Sequence, residues 1–166
     1  MIKMNKMAIL SRFLSFGAIT AVIIIMTPGC DPSKALEEEE AKEIQDYLNG
    51  HSDVAYVKKN SGLYYYDESI GTGQLAATHD TAYIFYKGTY LDGTQFDTNL
   101  GTTDTLISPV NEGWLIAGFD EAITYMRVGG KAKVIVPSYL GYFNYIPFHF
   151  DIYLVRLVPG PGGKGK

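Results

Sequence analysis

The sequence predicts an α+β domain in which a strand-rich sheet is crossed by one short α-helix and preceded by an N-terminal helix. Three observations carry this. Tyr (13), Phe (8) and Gly (18) are plentiful while charged residues make up only 19% of the 166, a composition that suits a twisted, turn-rich sheet better than a helical bundle. From Val54 onward, runs of Tyr, Val and Ile are broken by Gly62, Gly71-Thr72-Gly73, Gly88 and Asp92-Gly93, the pattern of short strands and turns. Phe119, Ala122, Ile123 and Met126 then recur at helical spacing, with Gly129-Gly130 directly after them as a breaker. With 46% apolar residues, the chain can bury one core and hardly a second.

The first thirty residues read as a secretory signal. Residues 1–12 carry Lys3, Lys6 and Arg12 and no acid, residues 13–26 are nearly all apolar, and Thr27-Pro28-Gly29-Cys30 follows. The apolar run is shorter than the roughly 20 residues a spanning helix needs. A small residue before the single cysteine resembles a bacterial lipobox, in which cleavage leaves Cys30 as a lipid-bearing N-terminus; the alternative is a short signal anchor with an incidental cysteine. Several acyl chains, at about 0.8 kcal/mol per buried methylene, make such an anchor stable. The expected location is the bacterial cell envelope, on the periplasmic face or the outer surface of the outer membrane. Without Lys3, Lys6 and Arg12 the formal charge of −4 becomes −7, and the remaining basic residues are scattered, which excludes a nucleic-acid partner.

The mature chain divides into three. Residues 30–52 hold Cys30 and a helix over 33–48, capped by Ser33 and stopped by Asn49-Gly50, with Glu37, Glu38, Glu39 and Glu40 as a solvated acidic face near its start. Ala41, Ile44, Tyr47 and Leu48 share its other face, which could dock or pair, although a spacer between lipid and fold is the favoured role. Residues 53–158 form the domain, with its best strands over 82–86, 131–136 and 148–157 and its helix over 119–127. Residues 159–166 alternate Gly, Pro and Lys and read as a flexible tail. His51, His79 and His149 lack ligand spacing, so no metal and no cofactor is expected.

Tyr86-Lys87-Gly88, Leu91-Asp92-Gly93-Thr94-Gln95-Phe96-Asp97 and Ile116-x-Gly118-Phe119-Asp120-Glu121-Ala122 come first in a longer series. Met126, Gly129, Lys131, Ile135-Val136-Pro137-Ser138-Tyr139-Leu140-Gly141-Tyr142, Ile146-Pro147 and Phe150-Asp151-Ile152-Tyr153-Leu154 continue it. Together with Ser61-Gly62-Leu63 and Gly71-Thr72-Gly73 upstream, this order and spacing resembles the FKBP family over residues 61–157. The resemblance implies a curved antiparallel sheet wrapped over the short helix, an apolar pocket between them, and Xaa-Pro bonds of other polypeptides, typically exported ones, as substrates.

Isomerising such a bond means rotating an amide over a barrier of about 18–20 kcal/mol, and no nucleophile or metal is required. An apolar pocket disfavours the planar, dipolar amide more than the twisted one. By resemblance the walls are Tyr86, Phe96, Phe119, Tyr142 and Phe150, with Ile116 adding aliphatic surface and a backbone N–H for a substrate carbonyl. Asp97 at the pocket edge and the Tyr142 hydroxyl would orient the peptide. For Asp97 the plainer reading is a turn cap, and for Tyr86, Phe96, Ile116 and Phe150 it is core packing.

The chain departs from the family at two places. Phe119 stands where the pocket floor is usually Trp, since only Gly118-Phe119 keeps Asp120, Glu121 and Met126 in register, leaving Trp114 in the preceding loop. After Tyr142 the loop to the last strand is short. Three functions compete: an isomerase assisting exported proteins, a non-catalytic peptide-binding module of an envelope assembly, and a purely structural lipoprotein. The retained pocket residues favour the first.

Overall fold

The computed structural model describes residues 31–161. The expected signal segment, Cys30 and residues 162–166 of the expected tail lie outside the described residues.

Helix α1 (Pro32–Gly50) precedes β1 (Val57–Lys58), β2 (Tyr64–Ser69), β3 (Thr81–Tyr90), β4 (Gln95–Thr98) and β5 (Leu106–Pro109). Helix α2 (Ala117–Thr124), β6 (Lys131–Val136), a 3-10 turn (Ser138–Leu140) and β7 (Phe148–Val158) complete the order. All strand pairs are antiparallel, in the order β1-β2-β6-β7-β3-β4. β5 also pairs with β3, at residues 81–84, whereas β4 takes residues 87–89. Two short strands thus share one edge of β3 end to end. The Asn99 side chain bridges the gap between them, accepting from Tyr86 N–H (2.7 Å) and donating to the Ile84 carbonyl (3.0 Å), so the interrupted ladder leaves these groups paired.

Period-two alternation assigns the sheet's two faces. Ala82 and Ile84 of β3, Ala132, Val134 and Val136 of β6, and Phe148, Phe150, Ile152 and Leu154 of β7 pack with Phe119, Ala122 and Ile123 of α2 into the main core. On the opposite face Ile135 joins Leu91 and Ile44 of α1, flanked by Tyr47, Leu48, Tyr56 and Tyr64. The helix expected to be a spacer is therefore docked on the sheet. Its acidic face is not uniformly solvated either, because Glu40 is buried. Its cap is Asp31, whose carboxylate accepts from Ser33 N–H (3.0 Å) and Oγ–H (2.7 Å); Ser33 lies inside the helix.

Three further boundaries differ from expectation for identifiable reasons. β3 runs straight through Gly88, which marks a close approach and not a turn: a Cβ there would meet Phe96 Cζ at 2.6 Å and Phe150 Cε1 at 2.9 Å. α2 starts at Ala117 and stops at Thr124, three residues short of Arg127. The backbone of 126–130 is committed elsewhere, with Ala76 N–H bonded to Met126 O, Gly73 N–H to Val128 O, and Gly129 N–H to Leu154 O. The start of the expected tail is also fixed, since Gly160 N–H donates to the buried Asp80 (3.1 Å) and the residue packs on His79.

Candidate functional site

One end of the core opens into a cavity of about 410 Å³ between the sheet and α2, lined by Tyr86, Phe96, Asp97, Leu106, Trp114, Leu115, Ile116, Phe119, Tyr142 and Phe150. Six structural segments converge here. β3 supplies Tyr86, β4 Phe96 and Asp97, β5 Leu106, α2 with its approach Trp114 to Phe119, the loop after the 3-10 turn Tyr142, and β7 Phe150. All seven residues expected at the site are brought together. Leu106 and Leu115 were not anticipated, and Trp114 reaches the rim from its loop, 75% exposed.

Phe150 is the centre of the aromatic floor. Opposite it in the ladder are Val134 on β6 and Gly88 on β3, and the missing side chain at Gly88 leaves room for two rings. Phe119 meets Phe150 edge to face at 5.1 Å and 87°, Phe96 does so at 5.7 Å and 89°, and Tyr86 stands edge-on to Phe119 at 5.7 Å and 86°. Edge-to-face pairs such as these hold one another's orientation. Phe119 is buried at 4% exposure, so the register that aligns Gly118-Phe119 with the pocket is the one the helix adopts. Gly118 is needed because a Cβ would meet Val136 Cγ1 at 2.6 Å.

At the polar edge the Tyr86 hydroxyl donates to Asp97 Oδ2 at 2.5 Å, and Thr98 N–H donates to Asp97 Oδ1 at 2.8 Å. Asp97 therefore lines the cavity from within strand β4, not from a turn, with its carboxylate held by these two donors. Burial, and then the bond to the Asp97 carboxylate, push the Tyr86 hydroxyl up to about 12, so it remains a donor at neutral pH. Ile116 is the N-cap of α2, and its own N–H has no hydrogen-bond partner among the described residues. Asp120, a buried residue absent from the expected site, sets the loop before it by accepting from Asn111 N–H (2.7 Å) and Gly113 N–H (2.9 Å).

The three histidines have other partners. His149 is buried under α1 with Nε2 3.1 Å from the Tyr56 hydroxyl, His51 bonds the Tyr47 carbonyl, and His79 pairs with Glu112.

Residues 73–146 match the family model described as FKBP-type peptidyl-prolyl cis-trans isomerase, a span that takes in every pocket residue except Phe150. Among curated proteins, the FKBP-type peptidyl-prolyl cis-trans isomerase FkpA of Aeromonas hydrophila is 35% identical over 105 residues, 63% of this chain and 38% of that protein. FkpA of Buchnera aphidicola subsp. Schizaphis graminum is 31% identical over 131 residues, 73% of this chain and 51% of that one. The chain thus spans between about two fifths and half of the length of these two relatives. The crystal structure of FkpA from Escherichia coli superposes with a TM-score of 0.67 at 26% identity, covering 78% of this chain and 63% of that one. Motif order, sheet topology and the aromatic cavity under α2 agree with these matches, and the domain matched over residues 73–146 belongs to the FKBP-type peptidyl-prolyl cis-trans isomerases.

Proposed function

We propose that this chain catalyses cis/trans isomerisation of Xaa-Pro bonds in other polypeptides, and that it does so in the bacterial cell envelope, held to a membrane by lipid on Cys30. The observation that carries the catalytic part is the aromatic cavity with one polar edge. Phe96, Phe119, Tyr86 and Phe150 offer a ring-lined recess for a prolyl side chain, the Ile116 N–H beside it has no partner among the described residues, and Asp97 is held by Tyr86 and Thr98.

The reaction breaks amide resonance and no covalent bond between heavy atoms. As the C–N bond twists, its dipole falls, so a recess poor in water destabilises the planar ground state relative to the twisted state. A substrate carbonyl on the Ile116 N–H fixes one side of the rotating bond, and the Tyr142 hydroxyl and Asp97 orient the flanking peptide. Each 1.36 kcal/mol of differential stabilisation corresponds to about a tenfold rate increase.

Exchange between cis and trans forms of a short Xaa-Pro peptide, followed by NMR with catalytic amounts of the full chain in mild detergent, tests this. The parent should accelerate exchange, and a Phe96→Ala, Asp97→Ala double variant with unchanged circular dichroism should lose at least about tenfold of that rate. Peptide binding without acceleration would favour the alternative, a non-catalytic peptide-binding module. That reading draws support from the exposed rim, where Tyr142 is 63% and Phe143 76% accessible. The lipid claim has its own test: labelled palmitate should enter the parent in cells and fail to enter Cys30→Ser.

A further inference from the structure

Glu40 lies in the middle of α1, remote from the pocket in sequence, and only 6% of it is exposed. Its carboxylate accepts two hydrogen bonds from one residue, Ser138 N–H at 2.5 Å and Ser138 Oγ–H at 2.6 Å. A buried carboxylate is tolerated only where donors meet it, and charge-assisted bonds of this kind hold their donors firmly. Ser138 in turn holds the pocket rim. Its carbonyl accepts from Gly141 N–H and Phe143 N–H, each at 2.9 Å, and these are the residues on either side of Tyr142. A continuous hydrogen-bond path therefore runs from α1 through Ser138 to both neighbours of a pocket residue.

The rim over residues 142–146 is strained and largely exposed. Phe143 and Tyr145 adopt left-handed backbone, with φ of 57° and 61°, conformations that cost free energy in non-glycine residues unless the surroundings impose them. Phe143 is 76% exposed, and Tyr142, 63% exposed, meets Phe148 edge to face at 5.5 Å.

We propose that Glu40 is a positioning residue of the isomerase site: from a helix on the far face of the sheet it fixes Ser138 and, through it, the placement of Tyr142 at the pocket mouth. This rests on the isomerase reading above. It gives α1 a part in substrate handling beyond attachment of the domain to its N-terminal segment.

Hydrogen exchange and peptide kinetics on the full chain in mild detergent test the proposal. Glu40→Ala should speed amide exchange at Gly141 and Phe143 by about tenfold, the scale of one charge-assisted hydrogen bond, while amides of β7 and α2 keep their protection. The KM for an Xaa-Pro peptide should rise about tenfold by the same measure, with kcat changed far less. In a Tyr142→Ala background the same substitution should leave both constants within about twofold, because the group it positions is gone. Unchanged exchange at Gly141 and Phe143, or an equal kinetic penalty in both backgrounds, overturns the proposal. If Glu40→Ala loosens the whole fold, Glu40→Gln, which keeps the shape and one acceptor, takes its place in the same comparison. If the parent catalyses nothing, the isomerase reading falls alone. Exchange at the two amides and a proline-peptide titration followed by the fluorescence of Trp114, the sole tryptophan, then decide: weaker binding by the variant supports positioning, and equal binding overturns it.

Discussion

Adding one methyl group at Gly88 would strike Phe96 and Phe150 together, so this glycine shows how closely the pocket is tied to a single residue. Gly88→Ala should cost about 1–3 kcal/mol in stability, as overpacking does, and should lower isomerase activity by displacing Phe96; denaturant melts beside peptide exchange check both. His149 is a second residue whose surroundings determine its chemistry. Buried against Tyr47 and Tyr56, with Lys133, His51 and Lys87 adding positive charge and Asp151 opposing them, its imidazole is lowered from 6.5 to about 4, chiefly by burial. The folded state keeps it neutral while the unfolded chain takes up a proton below about pH 6.5. Stability therefore falls as pH drops from about 6.5 toward 4, by up to roughly 3 kcal/mol from this group, and the loss is complete below the folded value. His149→Gln, which keeps a partner for Tyr56 but does not titrate, should show a shallower decline over that window in urea melts at stepped pH. Sequence reasoning reached neither residue's role. Gly88 looked like a turn because its reason lies across the sheet in Phe150, and His149 showed only a lack of ligand spacing because its cover comes from α1.

At the scale of elements, what could be read depended on whether the cause was local. β6 matches its expected bounds and β7 extends one residue further, because alternating apolar residues specify two buried faces without reference to any partner. α2 was placed correctly but ended too late, since the hydrogen bonds that take residues 126–130 out of the helix come from the 73–76 loop and β7. For α1 the apolar face was visible, while its use was not: Ile44 and Glu40 reveal their roles only once Ile135 and Ser138 stand opposite them. Docking of α1 predicts that Ile44→Ala destabilises the domain by about 2–4 kcal/mol, as large-to-small core substitutions do. A surface spacer would show a loss within about 0.5 kcal/mol, and chemical denaturation of the two proteins separates these outcomes.

Across the whole molecule, one sheet serves two helices. α2 and the aromatic residues on one face form the cavity, and α1 on the other face holds the β6–β7 end of the same sheet, from which the rim loop departs. The candidate site was more legible than the packing around it: Tyr86, Phe96, Asp97, Ile116, Phe119, Tyr142 and Phe150 all carry motif positions in the sequence, whereas Leu106, Leu115 and Asp120 are ordinary residues placed by topology. The central claim is that this cavity catalyses Xaa-Pro isomerisation in a polypeptide substrate. The measurement that bears on it most directly is the refolding of a protein whose slow phase is limited by proline isomerisation, a step of tens to hundreds of seconds without catalysis, in the presence of the full chain. The account predicts that the slow phase accelerates in proportion to the chain's concentration and that the Phe96→Ala, Asp97→Ala variant, shown to be folded, abolishes the effect. A slow phase unchanged at high concentration of the folded parent would contradict it.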